Sequence, residues 1–315
     1  MQMNRDKKSE IFILNIYMYL IMRKLIKISD VSARDGLQSL KSILTLSQKI
    51  DLVKDLSKCN FDEVEIGSLV NYKVIPTMKN SLELYNRFKQ SDFEKYYLLI
   101  GNEKSINQVN ENNVNNISFF TSPSNTFNIK NINLNTIDSF ERISKMIKML
   151  NKRDKTRIKG YLSCIGSCPF EGDVNIDDIV KSVEMFNKIG VDEICLADTI
   201  GDLKKEKLDN ILEKITTKTD IRTDILSIHL HTNFADIYWK ENIRIALKYN
   251  ITKYDTSILN IGGCPAIYKK NKSDKLNGNL NILSACNFFE EEGYDINVDK
   301  EIVKDIENKW KNILF

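Results

Sequence analysis

The chain has 315 residues, of which 42% are hydrophobic and 28% charged, a globular balance rather than a disordered one. Lys and Arg total 46 against 43 for Asp and Glu; the net charge of +3 is too small for a dedicated nucleic-acid binder but leaves room for a small anionic ligand. With 4 Pro and 12 Gly the chain is neither collagen-like nor a Pro-rich linker, and six Cys are too few for a disulfide scaffold, so a reducing compartment is expected.

Residues 1–24 carry an apolar run from Ile11 to Met22, about half of what spans a bilayer, and Asn15 interrupts it. Residues 1–21 therefore read as an N-terminal extension, either a targeting segment or a stretch ahead of a true start at Met22. The protein is expected in the cytoplasm of a bacterium, or in mitochondria if the host is eukaryotic and residues 1–24 act as a presequence.

From residue 25 short β-branched runs alternate with helical patterns. The strand candidates are Leu25–Ser32, Glu63–Ser68, Tyr96–Ile100, Asn116–Ser122, Arg157–Cys164, Glu193–Asp198, Leu226–His231 and Lys253–Ile258. Several are apolar almost throughout, as expected of parallel strands covered on both faces. Between them, Thr45 and Gln48 fit a capping box for a helix to about Lys58. Ile143, Met146, Ile147 and Leu150 make one helical stripe. Ile176, Ile179, Val180, Val183 and Ile189 make another, which Gly190 ends. Eight strand–helix units without a composition break predict an α/β fold, a (β/α)8 TIM barrel forming one catalytic domain over residues 22–315. A final helix near Asp299–Lys311 packs outside it. A doubly wound open sheet is the alternative, but its usual Gly-rich first turn is missing.

Barrel chemistry sits at the C-terminal strand ends. There the sequence places Arg34-Asp35-Gly36, Glu65, Ser163-Cys164, Asp198, His229-Leu230-His231 and a Gly262-Gly263-Cys264-Pro265 loop. His229 and His231 are the only two histidines. Two apart on a strand, they share a face. They read either as a hydrogen-bonded structural pair or, with Asp35, as ligands of one divalent ion, Mg²⁺ or Mn²⁺. Arg34 reads as an oxyanion stabiliser or as a turn salt bridge. Glu65 interrupts an apolar strand and needs a partner, for which Arg34 is the candidate. Asp198 closes its strand in the same manner. Cys59, Cys195 and Cys286 read as packing residues. Cys164 and Cys168 have a C-x₃-C spacing without two further soft ligands for zinc. Cys264 is either a reactive loop thiol or an inert one.

These segments, together with Lys130-Asn131-Ile132-Asn133, the stretch Gly160–Gly172 and Gly278-Asn279-Leu280, resemble the 3-hydroxy-3-methylglutaryl-CoA lyases of the DRE-TIM metallolyases over roughly residues 24–312. The resemblance implies a barrel that cleaves hydroxymethylglutaryl-CoA into acetyl-CoA and acetoacetate, the chemistry of leucine breakdown and ketone-body formation. By matching position, Asp35, His229, His231 and Asn279 correspond to ligands of one Mg²⁺ or Mn²⁺. Arg34 corresponds to the enolate stabiliser, Cys264 to the loop acid/base, and Glu65 and Asp198 to further active-site carboxylates. His229 is the second candidate for the proton donor. The implied partner is a small acyl-CoA, with no nucleic acid and no membrane, and a homodimer stays open.

The chain departs from the family pattern at four places. Thr232 follows the histidine pair. Ile258-Leu259-Asn260-Ile261 is bulkier than the family's Val-Ala-Gly-Leu. The interval from Cys264 to Asn279 is longer and Lys-rich. Asn281-Ile282-Leu283 replaces a segment ending in an acid. Two other readings compete: a Claisen-type acyl-CoA synthase, against which Leu37 stands where an acid is usual, and a catalytically weak barrel kept for binding.

Overall fold

Eight parallel strands pair edge to edge and close into a ring. They are β1 (Leu25–Asp30), β2 (Glu63–Leu69), β3 (Tyr96–Ile100), β4 (Asn116–Thr121), β5 (Arg157–Ser163), β6 (Glu193–Asp198), β7 (Leu226–Thr232) and β8 (Lys253–Thr256). Each pairs with the next, and β8 pairs with both β7 and β1. The structure is a computed structural model that describes residues 24–40, 42–90, 95–232, 238–263 and 277–315. Residues 1–21, Cys264 and the Lys269–Lys275 stretch lie outside the described residues.

Helices wrap the ring: α1 (Leu46–Leu56), α2 (Ser81–Phe88), α3 (Glu103–Asn112), α4 (Asn125–Ile132), α5 (Thr136–Lys148), α6 (Ile176–Ile189), α7 (Lys205–Lys218), α8 (Tyr238–Lys248), α9 (Ile282–Glu291) and α10 (Lys300–Leu314). This is the (β/α)8 barrel the alternation predicts, with α10 outside it against α9 and α1. The local signals act as read. Thr45 and Gln48 close both halves of the capping box on α1, which ends at Leu56 and continues as a 3₁₀ turn to Cys59. Gly190 ends α6 at φ 81°. No helix among the described residues is long and apolar enough to cross a membrane.

The strands differ from the expectation in one respect. Their outer faces are apolar: Ile28, Val64, Leu98, Ile117, Ile158, Ile194, Ile228 and Tyr254 pack under the helices. Their inner faces are not. Ser29, Glu63, Tyr97, Lys159, Glu193, Ser227 and Asp255 alternate with those residues and are also buried. A barrel interior usually holds bulky branched side chains; here ion pairs fill it. Lys159 Nζ lies 2.7 Å from Asp255, 3.1 Å from Glu193 and 3.7 Å from Glu63. Arg157 lies 3.0 Å from both Glu63 and Glu193, and Lys253 lies 3.2 Å from Glu193. Three cations thus face three carboxylates. That balance is what makes so many buried charges tolerable. Cys195 belongs to this interior, its Sγ 3.7 Å from Asp255.

Candidate active site

The turn after β1 is a single π-helical turn, Ser32–Gly36. Ser32 anchors it. Its N–H and Oγ donate to Asp30 at 3.0 and 2.7 Å, and its Oγ accepts the Ile258 N–H at 2.9 Å, tying the turn to the end of β8. Arg34 and Asp35 are thereby held buried at the mouth. Arg34 Nε donates to Glu65 at 2.5 Å and its NH1 to Asp35 at 2.6 Å. The expected Arg34–Glu65 pair therefore exists, and it is a buried pair rather than a surface one. Ser118 and Tyr161 also donate to Glu65, Tyr161 at 3.3 Å.

His229 and His231 point inward from β7, and Asn279 stands opposite His231 in an antiparallel pairing of Gly278–Asn279 with β7. His229 Nδ1 donates to Asp255 Oδ2 at 3.1 Å, and His231 Nδ1 donates to the Thr199 carbonyl at 2.7 Å. A carboxylate and a carbonyl only accept, so each neutral ring carries its proton on Nδ1. The two Nε2 atoms lie 3.1 Å apart, and Asp35 Oδ2 lies 3.6 Å from Nε2 of His231. Asn279 Nδ2 donates to Asp35 Oδ2 and to the Ile261 carbonyl, both at 2.9 Å, which orients its amide. Its Oδ1 is buried without a hydrogen-bond partner.

Two imidazole nitrogens and a carboxylate oxygen brought this close together could serve as donors to one divalent cation. Asp35, His229 and His231 are the only group of His, Cys, Asp or Glu donors among the described residues placed to share an ion, and Asn279 touches that group through its Nδ2. Cys164 and Cys168 lie apart from it: the second sulfur accepts from Ser124 Oγ at 3.1 Å and from the Phe170 N–H at 3.4 Å. Gly262 explains how the amide fits. At φ 127° it passes so close that a Cβ would strike Asn279 Nδ2 and lie 2.9 Å from Asp35 Oδ2.

Burial works against charge on Asp35, but the Arg34 guanidinium outweighs it and holds the carboxyl well below its usual range. Burial likewise opposes charge on Arg34, but Glu65 and Asp35 raise it further. Asp35 is thus ionised, and Arg34 keeps its proton, at any physiological pH.

Asp198 is placed differently. Glu193, Cys195 and Ala197 take the inner phase of β6, so Asp198 turns outward. It accepts the N–H groups of Gly201, Asp202 and Leu203 at 3.0, 3.3 and 3.0 Å. Burial raises its carboxyl to about 6 despite those bonds. It does not border the cavity above Asp35; it borders a separate one on the far side of His231.

The central cavity, about 110 Å³, is lined by Arg34, Asp35, Gln38, Tyr161, Ser163, Thr199, His229 and His231. Gln38, Leu99, Phe120 and Asn131 join it to a groove of about 930 Å³ whose walls include Val70, Val74, Ile75 and Phe170 and whose cations are Lys130 and Arg142. Sequence reasoning did not single out Asp255, Lys159, Tyr161 or Thr199. Lys159 and Asp255 carried a weaker signal than Glu65, because their strands, Arg157–Ser163 and Lys253–Thr256, hold other polar residues.

A family model described as HMGL-like matches residues 25–306. The chain is 30% identical over 242 residues to a 3-hydroxy-3-isohexenylglutaryl-CoA/hydroxy-methylglutaryl-CoA lyase of Pseudomonas aeruginosa, covering 77% of this chain and 79% of that one. Its fold is similar to a solved HMG-CoA lyase from Brucella melitensis, with a TM-score of 0.84, 26% identity, and coverage of 92% of this chain and 99% of that chain. It is similar, too, to an HMG-CoA lyase from Acinetobacter baumannii solved with coenzyme A and 3-methylmalate, with a TM-score of 0.82, 26% identity, and coverage of 92% and 91%.

Proposed function

Because this chain belongs to the HMGL-like family of carbon–carbon lyases, we propose that it cleaves 3-hydroxy-3-methylglutaryl-CoA to acetyl-CoA and acetoacetate. The observation that carries the reading is the convergence of Asp35, His229 and His231 beside a buried Arg34.

The reaction is a retro-Claisen cleavage. The tertiary hydroxyl loses its proton, the carbon–carbon bond breaks to leave a ketone on acetoacetate, and the electron pair becomes the enolate of acetyl-CoA, which is then protonated on carbon. Asp35, His229, His231 and Asn279 would hold one Mg²⁺ or Mn²⁺, which when bound supplies the Lewis acidity that makes the hydroxyl acidic. Arg34 uses Nε and NH1 on Glu65 and Asp35, which fixes its plane. Its remaining N–H groups border the cavity and are available to the thioester oxygen as charge develops there. Glu65, held by Ser118 and Tyr161, keeps Arg34 in that pose. Cys264, directly after Gly263, is the proposed acid that protonates the enolate carbon. The apolar walls of the large groove suit a pantetheine arm, and Lys130 and Arg142 suit its phosphates.

The test is product identification. Hydroxymethylglutaryl-CoA with Mg²⁺ should give equal amounts of acetyl-CoA and acetoacetate, EDTA should abolish turnover, and Mg²⁺ or Mn²⁺ should restore it. In the same assay Cys264→Ala should lower kcat by about 10²–10⁴. Turnover in a metal-free preparation would overturn the cation-dependent reading. Condensation of acetyl-CoA with a 2-oxo acid, without cleavage, would replace the lyase by a synthase.

A further inference from the structure

The two histidines of the site are oriented by unlike partners. His231 gives its Nδ1 proton to a backbone carbonyl, Thr199 O, which no side-chain change removes. His229 gives its proton to a side chain, Asp255 Oδ2. The other oxygen of Asp255 is held by Lys159 Nζ at 2.7 Å, and both side chains are almost completely buried. Lys159 is in turn fixed by Glu193 and Glu63. A chain of contacts therefore runs from the ionic interior of the barrel up to one ring of the mouth.

We infer that Asp255, held in place by Lys159, is a positioning residue that keeps the His229 proton on Nδ1 and so leaves Nε2 as the lone pair facing Asp35 and His231. The inference rests on the cation-holding reading of the site. The physical reason is simple. The two neutral tautomers of imidazole differ little in energy, so the acceptor beside the ring chooses between them. Without that acceptor His229 would carry its proton on Nε2 part of the time. That proton would point at His231 and Asp35 and close the position where a cation sits. Partners of this kind behind a ligating histidine typically contribute 10–100-fold in metal affinity. Asp255 is therefore part of the site although it lines neither the central cavity nor the groove that opens from it.

The charge balance supplies a clean variant. Lys159→Met with Asp255→Leu removes one cation and one anion together. Arg157, Lys253, Glu63 and Glu193 are left matched in pairs. This double variant should bind Mn²⁺ about 10–100-fold more weakly, read by electron paramagnetic resonance titration. Lys159→Met with Asp255→Asn retains an acceptor for the Nδ1 proton and should recover most of the affinity. A purely structural role would make the two double variants alike. The chain has only two imidazole rings, so a ¹⁵N spectrum of histidine-labelled, metal-free protein at alkaline pH resolves each ring. Wild type should show Nδ1 protonated on both; the leucine variant should lose that signature for one ring only. Should the leucine pair not fold, Lys159→Met with Asp255→Ser, whose hydroxyl falls short of the ring, carries the same test. Unchanged Mn²⁺ affinity and an unchanged His229 tautomer overturn the inference. A wild-type protein that binds no Mn²⁺ instead overturns the cation-holding reading, and the nitrogen spectrum still decides the role of Asp255.

Discussion

Asp30 and Asp255 lie on neighbouring strands of one barrel wall, yet they inhabit different solvents. Asp255 faces inward, where Lys159 and then His229 outweigh its burial and hold it ionised well below the ordinary range. Asp30 faces the apolar side beneath the helices. Burial there raises its carboxyl to about 7, with only Ser32 to oppose the shift. The wall thus divides the molecule into two buried regions. The outer one is held by apolar packing. The inner one is held by charge and is continuous with the site. The lesson is that burial does not fix the character of a position; the partners waiting on that face do.

The comparison predicts that damage on the two sides reads out differently. Phe186 is fully buried on α6, 4.9 Å from Phe140 and directly over Gly160 of β5. Phe186→Ala should cost about 3–5 kcal/mol of stability in chemical denaturation and leave kcat of the folded protein nearly unchanged. A large loss of kcat instead would mean that the two regions are mechanically coupled.

Arg34→Lys probes the inner side. It keeps the charge but cannot hold Glu65 and Asp35 in one plane while a third donor faces the cavity. The expected result is a fall of about 10²–10³ in kcat with a smaller change in stability than Phe186→Ala produces. A near-normal kcat would reduce Arg34 to a structural ion pair.

The smallest effect sharpens the contrast between the aspartates. A carboxyl raised in the folded state binds its proton more tightly than in the unfolded chain. Its contribution is therefore complete below about pH 4 and is lost as pH rises to about 7. Asp30→Asn has nothing to ionise there. Its stability relative to wild type should improve across that window, so the two pH–stability curves should diverge as pH rises through it. Parallel pH–stability curves for the two proteins would show that Asp30 is ionised at little cost.

The eight strands were legible because their outer faces are apolar and β-branched and because caps such as Thr45 and Gly190 mark the helices between them. The inner polar layer was harder to read. A lone Lys159 or Asp255 within a strand is compatible with a solvated edge until the ring closes and edges vanish. Only Glu65 stood out, because its partner Arg34 follows an adjacent strand. Asp198 could have been separated from the cavity by counting in twos from Glu193, since the strand alternates without a bulge. Asn279 was accessible only through resemblance, because Gly278–Asn279 is a two-residue strand without periodicity. The bulky Leu259 and Asn260 both adopt φ 54°, a left-handed conformation that the family's small residues would take more easily.

The bond between Asn279 and Asp35 joins residues 244 positions apart, across the seam where β8 meets β1. It has a consequence for the order of events in folding. These residues come from the turn after the first strand, from the seventh strand and from the segment following the eighth, so they are not neighbours until the last strand docks on the first. A nascent chain carrying only the first strands presents Asp35 with no counterpart. A cation held by these residues would act as a latch on the finished ring, adding stability by mass action to that state alone. On that reading, acquisition of metal affinity during refolding would be a clock for ring closure and should be among the last native properties to emerge.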